Sequence, residues 1–304
     1  MLKNKKVQAL SVIALALAAL ASGTSFAVVK DTLNSIKPFT LMAVRFFCAT
    51  VLMLIIFARR FKNIRRKDIY NNFFVGIFLF LALLTLVTGV SYTTASKQAF
   101  LVGAYVLAVP FLSWAFNKKR PDIYSILGVV MATFGIGLLT LNKSMDINRG
   151  DILSVLCALF FACHMVAIEY FNKDSDPIIS ATVQFAVVSL LFIVLASGFE
   201  HYRPDFSLEL AGAMAYLVVV TTVFSFAVQN IGQKYISSTS TALIFTLETA
   251  FGGVFAVYLL NEKMTPQMEI GCMIIFSAIV IGESKLQFLK RNKTGTALPA
   301  KENL

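Results

Sequence analysis

Residues Pro177 to Phe199 read PIISATVQFAVVSLLFIVLASGF, without one Lys, Arg, Asp or Glu. A helix needs roughly 20 apolar residues to cross a bilayer. Four other charge-free runs are of similar or greater length: Val7 to Val29, Ile69 to Ser96, Gln98 to Asn117 and Leu210 to Gln233. A soluble helix keeps polar residues on its outer face, and these runs have none to offer. Over all 304 residues, 58% are hydrophobic and 14% charged, with mean hydropathy +0.77. The composition predicts an all-α, polytopic membrane protein, because lipid tolerates only backbone whose hydrogen bonds close on themselves.

Working outward from these runs gives about ten transmembrane helices, near 8–29, 39–58, 72–92, 98–116, 123–141, 151–171, 178–198, 211–231, 240–260 and 268–288. The last is the weakest, since Glu269 and Glu283 leave a short uncharged centre. Lys3, Lys5 and Lys6 before an apolar run, with Ser25 and Ala27 spaced like a cleavage site, imitate a signal peptide. The repeat described next instead requires this segment as a helix.

The chain repeats itself. Adding 139 to the residue number carries Pro38 onto Pro177 and Phe46 onto Phe185; adding 143 carries Tyr92 onto Tyr235, Ala99 onto Ala242 and Gly128 onto Gly271. The change of offset is one loop insertion. The halves are therefore 8–141 and 151–288, with 289–304 as a cytoplasmic tail. Five spans per half is an odd number, so the halves have opposite orientations. Inverted repeats of this kind are typical of secondary transporters, with the substrate site near mid-membrane between them.

The net charge of +11 does not point to nucleic acid, because the basic residues sit in short clusters between apolar runs. Placing the N-terminus inside puts nineteen Lys and Arg on the cytoplasmic side and seven on the other, with Arg45 inside a span. That bias predicts two cytoplasmic termini. The expected address is the cell (inner or plasma) membrane. Cys48, Cys157, Cys163 and Cys272 fall within apolar runs and form no Cys-x-x-Cys pair, so neither a disulfide framework nor a metal site is indicated.

The stretch Leu247-Glu248-Thr249-Ala250-Phe251-Gly252-Gly253, continuing through Leu259-Leu260-Asn261-Glu262-Lys263-Met264-Thr265 to a helix with Gly271, resembles the end of an EamA domain of the drug/metabolite transporter superfamily. Ser91-Tyr92-Thr93-Thr94-Ala95, Val109-Pro110 and Gly128 form the matching piece of the first half, and Arg45 suits the pattern. Glu262 fits the glutamate that often ends the ninth helix, whereas Lys119 stands at the equivalent first-half position. The resemblance spans nearly the whole chain as two tandem copies. It implies ten helices, a central cavity and movement of small metabolites, often amino acids or related compounds and often outward.

Transport by alternating access needs a polar cavity and no catalytic residue or cofactor. The candidates are polar groups where lipid would penalise them. A charged Glu248 in mid-span costs roughly 2.5–3.5 kcal/mol on insertion scales, so it is expected to face protein or water, or to carry a proton. A proton-coupled cycle is one use of such a group; a neutral strut between helices is the other. Its counterpart across the repeat is Tyr105. His164 is a further cavity candidate, with no metal-ligand spacing toward Glu169. Arg45 suits a substrate carboxylate; snorkelling, Glu169 or a backbone carbonyl are its structural alternatives. Thr222, Ser225 and Gln229 lie along one stripe of the eighth span, while Ser22 interrupts the first. Trp114 and Tyr92 read as interfacial anchors.

The partners are thus a small-molecule substrate and the lipid bilayer. No Walker-type loop is present in the sequence, so ATP-driven transport within this chain is not indicated. An intramembrane enzyme and a non-transporting membrane sensor are the alternatives. The first would need a nucleophile–base pair or metal cluster, and the second an extramembrane domain.

Overall fold

The computed structural model describes residues 5–62, 64–93, 95–118, 120–140, 148–172, 174–200, 207–260 and 266–284. Lys119, Glu262 and the 289–304 tail lie outside them. Among the described residues the helices form ten rods. They are α1 (Lys5–Gly23, resuming as Ser25–Thr32), α2 (Pro38–Ile56), α3 (Arg66–Gly89), α4 (Ala95–Gly103, then Tyr105–Asn117) and α5 (Ile123–Thr140). The second five are α6 (Arg149–Phe171), α7 (Pro177–Phe199), α8 (Leu208–Gly232, in three pieces), α9 (Ser238–Leu260) and α10 (Pro266–Ser284). Six of them, α1, α2, α3, α6, α7 and α8, are long and apolar enough to cross a membrane, and α4, α5 and α10 contain shorter apolar helices. α4 breaks at Ala104.

Helix bounds repeat with the sequence. Ala95–Asn117 and Ser238–Leu260 start and stop at the offset of 143, and Pro38 and Pro177 open α2 and α7 at the offset of 139. Proline suits this first helical position, where its missing N–H would have no partner. Contacts repeat as well. α5 packs on α10, α2 on α7 and α4 on α9; α3 on α6 is mirrored by α8 on α1, and α1 on α9 by α6 on α4.

The α5–α10 seam fixes the relation between the halves. A Cβ on Gly128 would lie 2.9 Å from the Ala278 carbonyl oxygen, and one on Gly135 would lie 2.9 Å from that of Gly271. Climbing one helix descends the other, so the two run antiparallel. The repeat offset also exchanges these two contacts, as a two-fold axis requires. Small residues let backbones approach this closely, which is how helices associate in lipid. The seam pairs Gly128 with Ala278 and Gly282, and Gly135 with Gly271; it does not bring the repeat-equivalents Gly128 and Gly271 together.

The bundle is apolar outside, and its apolar interior also holds many polar side chains. Phe199, Ile55 and Phe111 are among the most exposed side chains, whereas Asn72, Gln98, His164 and Gln184 have no exposed surface. This arrangement suits lipid as solvent. The N-terminal run that imitates a signal peptide is part of the core: Leu15, Ala18 and Ala19 are fully buried, and α1 packs on α8 and α9. Trp114 and Tyr92 are exposed near rod ends, and Arg120 lies over the Trp114 ring at 5.5 Å. At the α3 and α7 N-termini, Arg65 grips Asp68 through two nitrogens at 2.9 Å while Ser175 donates to the same carboxylate at 2.8 Å.

Candidate functional site: a central cavity between the repeats

Three breaks in helical regularity shape the centre of the bundle. α1 is interrupted at Thr24, whose hydroxyl donates to the Ala21 carbonyl at 2.7 Å and shares a 2.6 Å hydrogen bond with the Tyr216 hydroxyl. α4 is interrupted at Ala104. α8 passes through a π-helical segment, Leu217–Phe224. A π segment widens the helix and frequently marks a functional site. Here it lets Thr221 and Thr222 both fold back on one carbonyl, that of Leu217, at 2.9 and 2.8 Å.

Those two hydroxyls hold Arg45. Its Nε donates to Thr222 Oγ1 at 2.6 Å and its Nη2 to Thr221 Oγ1 at 2.9 Å. The side chain is buried, yet Nη1 has no partner among the described residues. A guanidinium presents its donors in a rigid fork. With one edge clamped on α8, the free end is aimed by the protein.

The free end borders a cavity of about 740 Å³, mouth included. Ser22, Ser25 and Phe26 of α1 line it, with Gln98 and Tyr105 of α4 and Ser225 and Gln229 of α8. Glu248 of α9 lies on it too, half-buried and without a hydrogen bond to its carboxylate among the described residues. Arg45 and Glu248 feel each other's charge, but neither is in an ion pair among the described residues. The Tyr105 hydroxyl is buried with no partner among the described residues, as is Gln98 Oε1, while Gln98 Nε2 donates to the Leu86 carbonyl at 2.7 Å. Buried polar groups are normally hydrogen-bonded, so these atoms await a partner.

Backbone approach makes this wall possible. A Cβ on Gly23 would stand 2.8 Å from the Glu248 carbonyl oxygen and 3.0 Å from the Gly252 nitrogen. α1 and α9 therefore cross at a glycine, next to Ser22 and Glu248.

The cavity respects the repeat. Ser22 and Phe161, and Phe26 and Met165, are lining pairs at the offset of 139. Leu83 and Phe226, Leu86 and Gln229, Val102 and Phe245, and Tyr105 and Glu248 are lining pairs at the offset of 143. The cavity thus sits on the pseudo-two-fold axis.

Of the residues expected from sequence, Ser22, Arg45, Tyr105, Ser225, Gln229 and Glu248 come together here. Thr222 stands one step back and positions Arg45. His164 is not on the wall. It is fully buried behind Phe161 and Phe226, at centroid distances of 6.4 and 6.2 Å, and its Nε2 meets Gln184 Oε1 at 3.0 Å. Glu169 is not the partner of Arg45; its carboxylate accepts from the Ser238 backbone N–H at 2.8 Å and caps α9. Gln98 was not singled out by sequence, and Thr221, one of the polar residues that mark the eighth span, fell outside its stripe. Gln98 read as the polar edge of a charge-free run, and Thr221 depends on the π turn for its direction. Among the described residues no group of three His, Cys, Asp or Glu is placed to hold a metal ion.

Ten helical rods in two inverted halves around a central cavity with polar and apolar walls define a membrane protein of the transporter class. The profile of the EamA-like transporter family matches residues 9–141 and 148–282, and the chain belongs to that family. It is 32% identical over 271 residues to an uncharacterized transporter of Archaeoglobus fulgidus, covering 88% of this chain and 83% of the relative. It is 23% identical over 286 residues to the uncharacterized transporter YyaM of Bacillus subtilis, covering 89% and 92%. A solved structure shares the fold with TM-score 0.77 at 14% identity, covering 92% of this chain and 99% of that one.

Proposed function

We propose that the chain is a secondary transporter that moves small zwitterionic metabolites, amino acids or close relatives of them, by alternating access through the cavity between its repeats. The observation that carries this reading is the separation of charge on the wall. Arg45 offers the Nη1 end of its guanidinium, Glu248 offers a carboxylate without a hydrogen bond among the described residues, and the two share the cavity without meeting as an ion pair. A solute with an anionic and a cationic end can bridge them. Charge-assisted hydrogen bonds of that kind are the strong ones, and the guanidinium is suited to a carboxylate. The Tyr105 hydroxyl, Gln98 Oε1 and Gln229 then supply neutral contacts, and Phe26, Phe161 and Phe245 an apolar wall.

Glu248 also supports proton coupling in this reading, because a carboxyl that exchanges its partner during the cycle can exchange its proton with it. The nineteen-to-seven basic bias supports two cytoplasmic termini in the cell membrane. The test is counterflow uptake in sealed proteoliposomes preloaded with neutral amino acids, simple amines, carboxylic acids or nucleobases. Saturable exchange confined to the amino acids supports the reading. Exchange of amines or nucleobases alone overturns the substrate class, and the absence of any exchange overturns the transporter.

A further inference from the structure

The cavity follows the repeat at six pairs of lining residues and departs from it at others, Thr221 and Ser225 of the second half among them. Five lining residues of the first half, Ser25, Val29, Arg45, Val90 and Gln98, have no lining counterpart. The repeat offsets carry them onto His164, Ile168, Gln184, Gln233 and Thr241. None of these five touches the cavity, and all are buried, with at most 5% of their surface exposed. Four are polar, in a bundle whose solvent is lipid.

Three of the four are poorly satisfied. His164 Nδ1, Gln233 Oε1 and Thr241 Oγ1 are buried with no hydrogen-bond partner among the described residues. Native interiors leave few such atoms, and each one calls for an explanation. The fourth, Gln184, stands where the first half has Arg45. Like Arg45 it reaches α8: its Nε2 donates to Asn230 Oδ1 at 3.1 Å, while Arg45 reaches Thr221 and Thr222.

Inverted repeats supply the explanation. When the halves exchange conformations, the open end closes and the closed end opens around a fixed centre. The residues wetted in one state are then replaced by their equivalents. We infer that His164, Gln184, Gln233 and Thr241 form a second polar wall of the substrate cavity, dry in the conformation described and exposed to water and substrate when the cavity opens at its other end. This inference rests on the transporter reading. His164, which the sequence singles out and the present cavity excludes, thereby acquires a place in the cycle. Ser25, its counterpart, leaves the wall in the same step.

Single cysteines test this from each side of the membrane. In a chain with Cys48, Cys157, Cys163 and Cys272 replaced, Ser25→Cys and Thr241→Cys are near-isosteric, and Gln233→Cys is a third site. The probe is the impermeant thiol reagent 2-(trimethylammonium)ethyl methanethiosulfonate, applied to sealed vesicles from outside or trapped within them. Ser25→Cys is expected to react several-fold faster from one side, and Thr241→Cys and Gln233→Cys several-fold faster from the opposite side. A reversed overall topology would swap both preferences and leave their opposition intact. Should the cysteine variants fail to fold, the unaltered chain gives its own reading through carbethoxylation by diethyl pyrocarbonate, scored by mass spectrometry. His164 is expected to react slowly but completely. Amino-acid exchange measured on the same vesicles separates the two claims. Exchange with Thr241, Gln233 and His164 never modified, or with Thr241→Cys labelled from the side of Ser25→Cys, overturns the second wall alone. No exchange and no labelling overturns the transporter reading with it.

Discussion

Tyr105 and Glu248 occupy the same place in the two repeats, at the offset of 143, and both face the one cavity. The repeat has kept the position and diverged in the chemistry: a phenol on one side, a carboxyl on the other. Arg45 and Gln184 diverge in the same way at the offset of 139. A symmetric scaffold thus carries an asymmetric set of polar groups, and the predictions below follow from where each group sits.

Glu248→Gln keeps size and hydrogen bonding and removes titration. If Glu248 gives and takes a proton during transport, the variant reconstituted at equal amounts loses the wild-type dependence of uptake on pH. Wild-type uptake with a wild-type pH profile would make Glu248 a polar strut and end the coupling role.

Thr222→Val removes the acceptor of Arg45 Nε and leaves the shape of the residue. A hydrogen bond to a charged group contributes about 1.5–3 kcal/mol net, so Arg45 is expected to lose its aim and substrate affinity to fall roughly tenfold or more. The change should appear mainly in KM. Arg45→Lys should fail to restore it, because an ammonium lacks the fork that spans Thr221 and Thr222. An unchanged KM in Thr222→Val would show that the π-helical clamp does not position Arg45.

Gly135 lies against the Gly271 carbonyl, so Gly135→Leu forces α5 and α10 apart. Overpacking of this kind costs about 1–3 kcal/mol, and a lower midpoint of thermal unfolding in detergent is expected. Paired cysteines at 135 and 271 should crosslink. Paired cysteines at 128 and 271, about two helical turns out of register, should not. The opposite pattern would refute the antiparallel seam.

Reporters fused at the N-terminus and after Leu304 should both read cytoplasmic, with the 199–209 loop outside. Termini on opposite faces would give an odd number of spans and remove the inverted repeat.

The ten rods and the polar positions of the cavity wall were legible in the sequence, because lipid imposes a coarse rule: long charge-free runs become helices, and polar groups within them turn inward. Arg45, Ser22, Ser225, Gln229 and Glu248 obey it. Finer choices were not legible. The π turns of α8 and the break of α4 at Ala104 depend on what packs beside them, and local propensity does not record that. Gly128, Ala132 and Gly135 with Gly271 lead the sequence to expect a close crossing of the fifth and tenth spans with Gly128 beside Gly271; the helices do cross closely, but the antiparallel register pairs Gly135 with Gly271 and Gly128 with Ala278. His164 is buried but does not line the cavity, and periodicity cannot say which buried polar groups do. Phe161 and Met165 reach the wall, and the imidazole lies behind Phe161 and Phe226.

The central claim is that a solute's anionic end meets Arg45 and its cationic end meets Glu248 in one cavity. Competition in counterflow tests it directly, using a transported amino acid against its N-acetyl derivative and its methyl ester, in the wild type and in Arg45→Gln. The account predicts that the free amino acid competes and both blocked forms do not, and that Arg45→Gln erases the preference for a free carboxylate while the demand for a free amine persists. Equal competition by the methyl ester in the wild type, or an unaltered preference in Arg45→Gln, would contradict it.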